Sequence, residues 1–399
     1  SALVAAGEGG AVRCLACGHR CLVRPGRRGV CRVRVNEGGA LKVPFGYVAG
    51  LAADPVEKKP FYHVKPGGVA LSFGMLGCNL RCPFCQNWNT SQILRDPAAG
   101  AAVHACTARE IAEAGDRAGA ALMVSTYNEP LITSEWARAV FEEAKPRGML
   151  CGFVSNGFAT PEALDFLLPV LDVFKVDLKC FDARRYGELG GRLPEVMDTL
   201  ARLAAAGVWV EVVTLLVPGF NDDAEELRRL AAFLCGLSPD IPWHVTAFTP
   251  QYRKRRVRPT TAEDLTKAWD IGKSAGLRHV YTGNLPRQTG ARENTFCAEC
   301  GAALVERSGF RVCALRVSEG RCPECGRAVP GRWQGAPHGP TPRDTDRIWR
   351  AATGAVRSRR RWFPPSILSM RSIASMPPAG SRRHCTLPTA LGCRPPLGV

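Results

Sequence analysis

Between residues 67 and 290 the chain alternates short apolar, β-branched runs with longer amphipathic segments, and few folds accommodate that order. The runs fall at 69–75, 121–126, 150–155, 173–178, 208–217, 243–248 and 278–282. Between them, alanines, leucines and charges recur at helical spacing at 108–119, 133–147, 161–168, 193–206, 222–235 and 262–275. Thr107 with Glu110 three positions on, and Thr160 before Pro161, are helix-start signals. Near-continuous apolar strands separated by helices predict a parallel sheet covered on its outer face. The count of such units favours an α/β fold of the full or partial (β/α) barrel kind over an open doubly wound sheet. Either architecture gathers ligands at the C-terminal ends of its strands.

Twelve of the 18 cysteines cluster at 14–31, 78–85 and 297–325. Cys-x-x-Cys pairs in a chain without a secretory signal read as metal ligands ahead of a secreted disulfide framework. The opening Ser-Ala-Leu-Val-Ala-Ala has no basic residue before its very short apolar run, so it makes a poor signal peptide. No apolar run reaches the roughly 18–20 residues of a membrane span. A reducing, cytoplasmic setting without a membrane is the expectation. The formal net charge is +17, but residues 335–399 hold 11 Arg against Asp344 and Asp346, a net of +9 that leaves +8 for the rest. That diffuse excess does not predict a nucleic-acid partner.

Composition divides the chain into four zones. Residues 1–66 form a Cys-rich module and connector, 67–290 the barrel, 291–334 a zinc-ribbon-like module, and 335–399 an Arg/Pro-rich tail. The tail has no sustained periodicity and is expected to be disordered. Its lack of lysine also fits a GC-rich gene read in a wrong frame.

Cys78-x3-Cys82-x2-Cys85 places three thiolates in one loop after the first barrel strand. A [4Fe–4S] cubane needs four ligands, so one iron would stay open, as a catalytic zinc keeps a vacant position. An open iron can chelate the amino and carboxylate groups of S-adenosylmethionine (SAM). A structural zinc or an ordinary ferredoxin-like site is the competing use of the same thiols.

Cys-x3-Cys-x-aromatic-Cys at this position resembles the signature of the radical SAM superfamily. Phe84 falls where that family places an aromatic whose backbone meets the adenine. Ser125-Thr-Tyr-Asn-Glu-Pro130 resembles the family's Gly-Gly-Glu element, in which Glu129 would accept from the SAM ammonium and Asn128 would add a carbonyl. Helix capping is the other reading of that segment. Ser155 and Asn156 end the third strand, and Asp177 and Lys179 lie at the end of the fourth, suited to ribose hydroxyls or the carboxylate. Asp177 and Lys179 could equally pair with each other alone. The turn at 217–222 resembles a further SAM-binding element of the family.

Within the superfamily the chain is similar to the pyruvate formate-lyase-activating-enzyme relatives, and most to the radical SAM member of the AmmeMemoRadiSam system. The matching stretches are 14–31, 54–63, 85–89, 126–130, 243–248 and 280–284, and the likeness spans residues 12–334. It implies reductive cleavage of SAM to methionine and a 5′-deoxyadenosyl radical, which abstracts hydrogen from an unidentified substrate. It also implies an external electron donor such as flavodoxin or ferredoxin, and companions of the Memo and AMMECR types. An activase that installs a glycyl radical on a partner protein, and a non-catalytic zinc protein that binds nucleic acid, are the two other classes.

Two further cysteine sets remain. Cys14, Cys17, Cys21 and Cys31 could close a zinc site or hold an auxiliary Fe–S cluster; zinc is favoured, because no ligand position is left open. His19 is expected at the surface. Cys297, Cys300, Cys322 and Cys325 have the two-knuckle spacing of a zinc ribbon, a structural staple or a docking module. Cys313 between them is expected to be a small buried side chain. In the polar stretch 54–63, Lys58, Lys59, Tyr62 and His63 could form a proton relay or anion site near the cluster. That stretch could instead be a solvated connector across the barrel mouth. His244 faces either a substrate or a bonded position in the core, the latter preferred.

Overall fold

A computed structural model describes residues 1–333, and the expectations for 335–399 lie outside the described residues. Eight strands lie side by side in chain order: β1 (Gly50–Pro55), β2 (Val69–Gly74), β3 (Ala120–Ser125), β4 (Leu150–Ser155), β5 (Val173–Asp177), β6 (Trp209–Leu216), β7 (Trp243–Ala247) and β8 (Val280–Gly283). Strands β2 to β8 are parallel, and β1 runs antiparallel along β2. With crossovers of the usual hand, chain-order neighbours wind the sheet in one direction, without the strand-order reversal of a doubly wound fold. Among the described residues nothing pairs β8 back to β1, so the α/β barrel is partial.

The helices fall where the spacing places them: α1 (Ala108–Arg117), α2 (Ser134–Ala144), α3 (Pro161–Leu167), α5 (Leu193–Ala205), α6 (Ala224–Leu237) and α7 (Ala262–Ser274). The short α4 (Ala183–Glu188) is an addition, started by the Asp182 side chain accepting from Arg185 N–H. Thr107 and Thr261 close capping boxes with Glu110 and Asp264. Against the outer face, Phe73, Phe153 and Phe174 form a run of ring contacts with Phe141 of α2, with centroids 5.6–6.1 Å apart.

The inner face is more polar than an alternation rule suggests. Lys175 pairs in register with Glu211, Val213 with His244, and His244 with Tyr281, so one face of β5 to β8 carries buried charge and imidazole. Glu211 is fully buried and accepts from Tyr62 N–H and His63 N–H at 2.9 Å each, from Trp209 Nε1 at 3.1 Å, and meets His244 Nε2 at 2.7 Å. His244 is therefore the bonded core histidine.

The polar stretch 54–63 is a correction. It is neither a solvated connector nor a relay beside the cluster. Asp54 belongs to β1, and Phe61, Tyr62 and His63 are buried. His63 bonds the Tyr281 hydroxyl at 2.6 Å and Pro330 carbonyl at 2.7 Å. The segment enters just before β2, so it plugs the N-terminal end of the barrel, while Cys78 follows the C-terminal end of β2. The demand of Glu211 for donors, together with the burial of Phe61, holds it there. Lys59 is buried against Asp54 and the Tyr127 hydroxyl, and Lys58 is exposed beside Asp54.

Among the smaller sheets of the described residues, two are three-stranded and flank the barrel strands in sequence. Val4–Ala6, Val12–Cys14 and Leu22–Val23 form one, with Leu3, Val12, Ala16 and Val23 packed around Ala163 of α3. Thr295–Phe296, Ala303–Ser308 and Arg311–Leu315 form the other, the ribbon. Cys313 is exposed on it, contrary to expectation, because the outermost strand of a thin hairpin has nothing to bury it. No helix among the described residues is long and apolar enough to cross a membrane.

The plug makes the fold acid-sensitive. Burial, with Lys273 and Arg278 nearby, pushes His279 down to about 4, and its Nε2 has no partner. Its ring meets that of His63, which burial also holds well below the usual imidazole range. A lowered imidazole stabilises the fold above the unfolded value, and that contribution is lost as pH falls from about 6.5 towards 4. We expect His279 to account for up to about 3 kcal/mol of that loss. Unfolding followed against pH checks this, and a His279→Gln variant should flatten the profile.

Candidate iron–sulfur and cofactor site

The loop after β2 can turn as it does because Gly77 has φ +90°, and a Cβ there would lie 2.7 Å from Val33 Cγ1. Cys78, Cys82 and Cys85 follow on that one loop. Leu80 N–H donates to Cys78 Sγ at 3.3 Å, and Cys85 Sγ lies 3.2 Å from Ser91 Oγ. Burial pushes all three thiols up, Cys82 to about 12, while Lys179 opposes the rise at Cys82 and Cys85. Bare, they are protonated at neutral pH; a metal must displace the protons.

Thiol spacing distinguishes what each cysteine set can hold. Among the described residues, Cys297, Cys300, Cys322 and Cys325 form the one set of three or more candidate ligands whose donor atoms all lie within 4.8 Å of one another. Cys297 and Cys325 sulfurs are 3.6 Å apart, and those of Cys300 and Cys322 3.7 Å. Four sulfurs about 2.3 Å from one ion in a tetrahedron lie roughly 3.8 Å apart, so the ribbon set fits a single zinc. The Cys78, Cys82 and Cys85 thiols are set wider. That fits a cubane, in which each thiolate binds a different iron.

The polar wall beside this loop comes from successive strand ends. After β3, Tyr127 adopts φ +71°, which turns Asn128 and Glu129 inward. Asn128 Oδ1 accepts from Met75 N–H at 2.9 Å, tying the ends of β2 and β3 together. Glu129 Oε1 accepts from Ser155 Oγ at 2.6 Å and Leu131 N–H at 3.0 Å, and Oε2 from Asn156 N–H at 2.8 Å. The carboxylate thus does cap the short helix Pro130–Thr133, as the capping reading held, while Oε2 has room for another donor. Burial pushes it up to about 7. Asn156 Nδ2 donates to Asn79 Oδ1 at 2.7 Å, linking the third strand end to the cysteine loop. Asn79 Nδ2 is buried without a partner.

At the next strand end, Asp177 lies between two lysines, 2.7 Å from Lys175 Nζ and 2.9 Å from Lys179 Nζ. Burial would raise the carboxyl, but the two ammonium groups hold it well below its usual range. Phe84 is buried with its ring 5.3 Å from that of Phe220, in the turn after β6, and Asn221 of that turn donates to Lys179 carbonyl at 2.8 Å. The structure thus gathers Phe84, Asn128, Glu129, Ser155, Asn156, Asp177 and Lys179 on the strand ends and loops at the end of the barrel that carries Cys78, Cys82 and Cys85. Sequence reasoning missed Asn79 and Lys175. Asn79 lies inside the cysteine motif, where a small polar side chain between ligands was the available signal.

The radical SAM superfamily profile matches residues 74–231, which contain the loop and this wall. Over 323 residues the chain is 36% identical to the protein MJ0808 of Methanocaldococcus jannaschii, itself uncharacterised, covering 80% of this chain and 95% of that one. It is 27% identical over 222 residues to pyruvate formate-lyase 1-activating enzyme of Escherichia coli K12, covering 51% and 89% respectively. The solved radical SAM methyltransferase of Sphaerobacter thermophilus aligns over 60% of this chain and 71% of its own, at 18% identity and a TM-score of 0.43. The chain belongs to the radical SAM superfamily.

Proposed function

We propose that the chain binds a [4Fe–4S] cluster through Cys78, Cys82 and Cys85 and a SAM molecule at the open iron, and abstracts hydrogen from a substrate held deeper in the barrel. The observation that carries this is one loop of three thiols, Cys82 buried and Cys78 and Cys85 half-buried, spaced more widely than a single ion allows, beside the Glu129 and Asp177 wall. When bound, the cluster supplies one electron to the SAM sulfonium, whose S–C5′ bond breaks to give methionine and a 5′-deoxyadenosyl radical. Glu129 and Asn128 would hold the ammonium, with Ser155 and Asn156 fixing the Glu129 carboxylate. Asp177 and Lys179 would hold ribose hydroxyls and the carboxylate, and the Phe84 backbone the adenine. Burial of this wall excludes water from a primary radical.

Ribbon zinc, the division at 66, 290 and 334, a cytoplasmic setting and an external one-electron donor complete the reading. Memo-type and AMMECR-type companions enter by resemblance. The likeness to an activating enzyme favours a second reading, in which the hydrogen comes from a backbone glycine of a partner protein.

After anaerobic reconstitution with iron and sulfide, SAM and dithionite should yield 5′-deoxyadenosine. Zinc alone at the loop, or no cleavage, would sink the assignment. Turnover without any protein partner would remove the activase reading. At the ribbon, Cys322→Ser should cost one equivalent of zinc and lower the thermal midpoint, read by metal analysis and calorimetry.

A further inference from the structure

The four N-terminal thiols have a geometry that the ribbon makes interpretable. Cys14, Cys17 and Cys31 are buried and Cys21 is half-buried. They lie together: Cys14 N–H donates to Cys21 carbonyl at 2.9 Å, and Val30, next to Cys31, donates its N–H to Cys21 Sγ at 3.4 Å. Three accept backbone N–H bonds of the kind that stabilises a thiolate: Cys14 from Ala16, Cys17 from His19, and Cys21 from Val30. The same arrangement recurs at Cys78 with Leu80 and at Cys300 with Ala302. Yet no three of these sulfurs lie within 4.8 Å of one another, whereas the ribbon's four do. One ion cannot bridge the wider set at about 2.3 Å per bond; several irons can.

We propose that Cys14, Cys17, Cys21 and Cys31 hold a second [4Fe–4S] cluster, fully ligated by protein, that passes electrons to the cluster on the Cys78 loop. This deepens the radical SAM reading and rests on it for the acceptor. Four thiolates leave no iron open, so the site has no position for SAM or substrate. What remains is electron transfer, in which the N-terminal cluster goes from its 1+ to its 2+ state as the other goes from 2+ to 1+. An external low-potential one-electron donor reloads it.

The two loops touch directly. Arg95 donates to Val30 carbonyl at 2.6 Å and to Cys78 carbonyl at 2.8 Å, so one guanidinium joins the residue before Cys31 to the first ligand of the other loop. Half-buried His19 places its Nε2 2.9 Å from Asn79 carbonyl. A Cβ on Gly77 would lie 3.2 Å from Cys31 carbonyl. Arg34, buried near Cys14 and Cys31, adds a second cation beside the thiolates.

Metal analysis of the reconstituted chain decides the matter. We expect about eight irons and one zinc per chain, and about two unpaired spins after dithionite reduction. About four irons with two zincs would overturn the proposal while leaving the SAM assignment intact. The variant Cys78→Ala/Cys82→Ala/Cys85→Ala should keep about four irons and a cubane absorbance with no SAM cleavage. Loss of all iron in that variant, with its circular dichroism unchanged, would also overturn it. Iron retained there while the parent chain fails to cleave SAM would uphold this cluster and remove only the reading of the other. In the parent, magnetic coupling between the two reduced centres should broaden their resonance; two uncoupled signals would count against a relay.

Discussion

Cys82→Ala should reduce 5′-deoxyadenosine to the level of iron-free protein and remove one cluster's worth of iron. Cys82 is buried and central in its loop, and its replacement removes one of the three thiolates that would hold the cluster. Two remaining thiolates leave two irons open, and a cubane so held is lost on desalting. Cys313→Ala is the matched control, since Cys313 is exposed on the ribbon and among the described residues bonds only Arg311 carbonyl, at 3.8 Å. It should behave as the parent in both readouts. A yield from Cys82→Ala within a factor of about ten of the parent would mean that the loop does not carry the chemistry, because a tenfold effect is only about 1.4 kcal/mol of barrier.

The parallel strands were legible because each is a nearly unbroken apolar run, which only a sheet covered on its outer face explains. The edge strand Gly50–Pro55 was not. Its glycine, aspartate and proline read as a connector, and an edge tolerates them because one side of its backbone needs no partner. The same bias hid the barrel interior. Lys175 and Glu211 are charged residues inside strands, and a periodicity argument assigns charges to solvent, yet both are buried and bonded, Lys175 to Asp177 at the end of its own strand and Glu211 to the segment before β2. At the site, the cysteine loop and Glu129 were legible because their chemistry has a distinctive order in the chain. The Asn156–Asn79 link and the Arg95 bridge were not, since each joins residues far apart in sequence that only the fold brings together.

The same limitation concealed Arg307, whose replacement by methionine should destabilise the fold by about 3–5 kcal/mol, as expected when one partner of a buried ion pair is removed. Arg307 and Glu57 are fully buried at the side chain, with Nε 3.6 Å from Oε1. The guanidinium donates to Tyr62 carbonyl and Thr295 Oγ1, both at 2.8 Å, and lies 4.1 Å over the Tyr62 ring. It therefore bolts the ribbon strand Ala303–Ser308 to the plug at the barrel's N-terminal end. Methionine keeps most of the volume but leaves Glu57 to Gly67 N–H alone, at 3.1 and 3.3 Å. Burial already raises the Glu57 carboxyl, and loss of Arg307 removes the main force that lowers it. The penalty should therefore shrink as pH falls and the carboxyl takes up a proton, and be larger at pH 8 than at pH 5. Adding Glu57→Gln should recover part of the loss, giving a coupling energy in a double-mutant cycle. Urea unfolding measures all of these. A cost below about 1 kcal/mol for Arg307→Met would mean the pair is solvated in solution and the ribbon is fastened elsewhere.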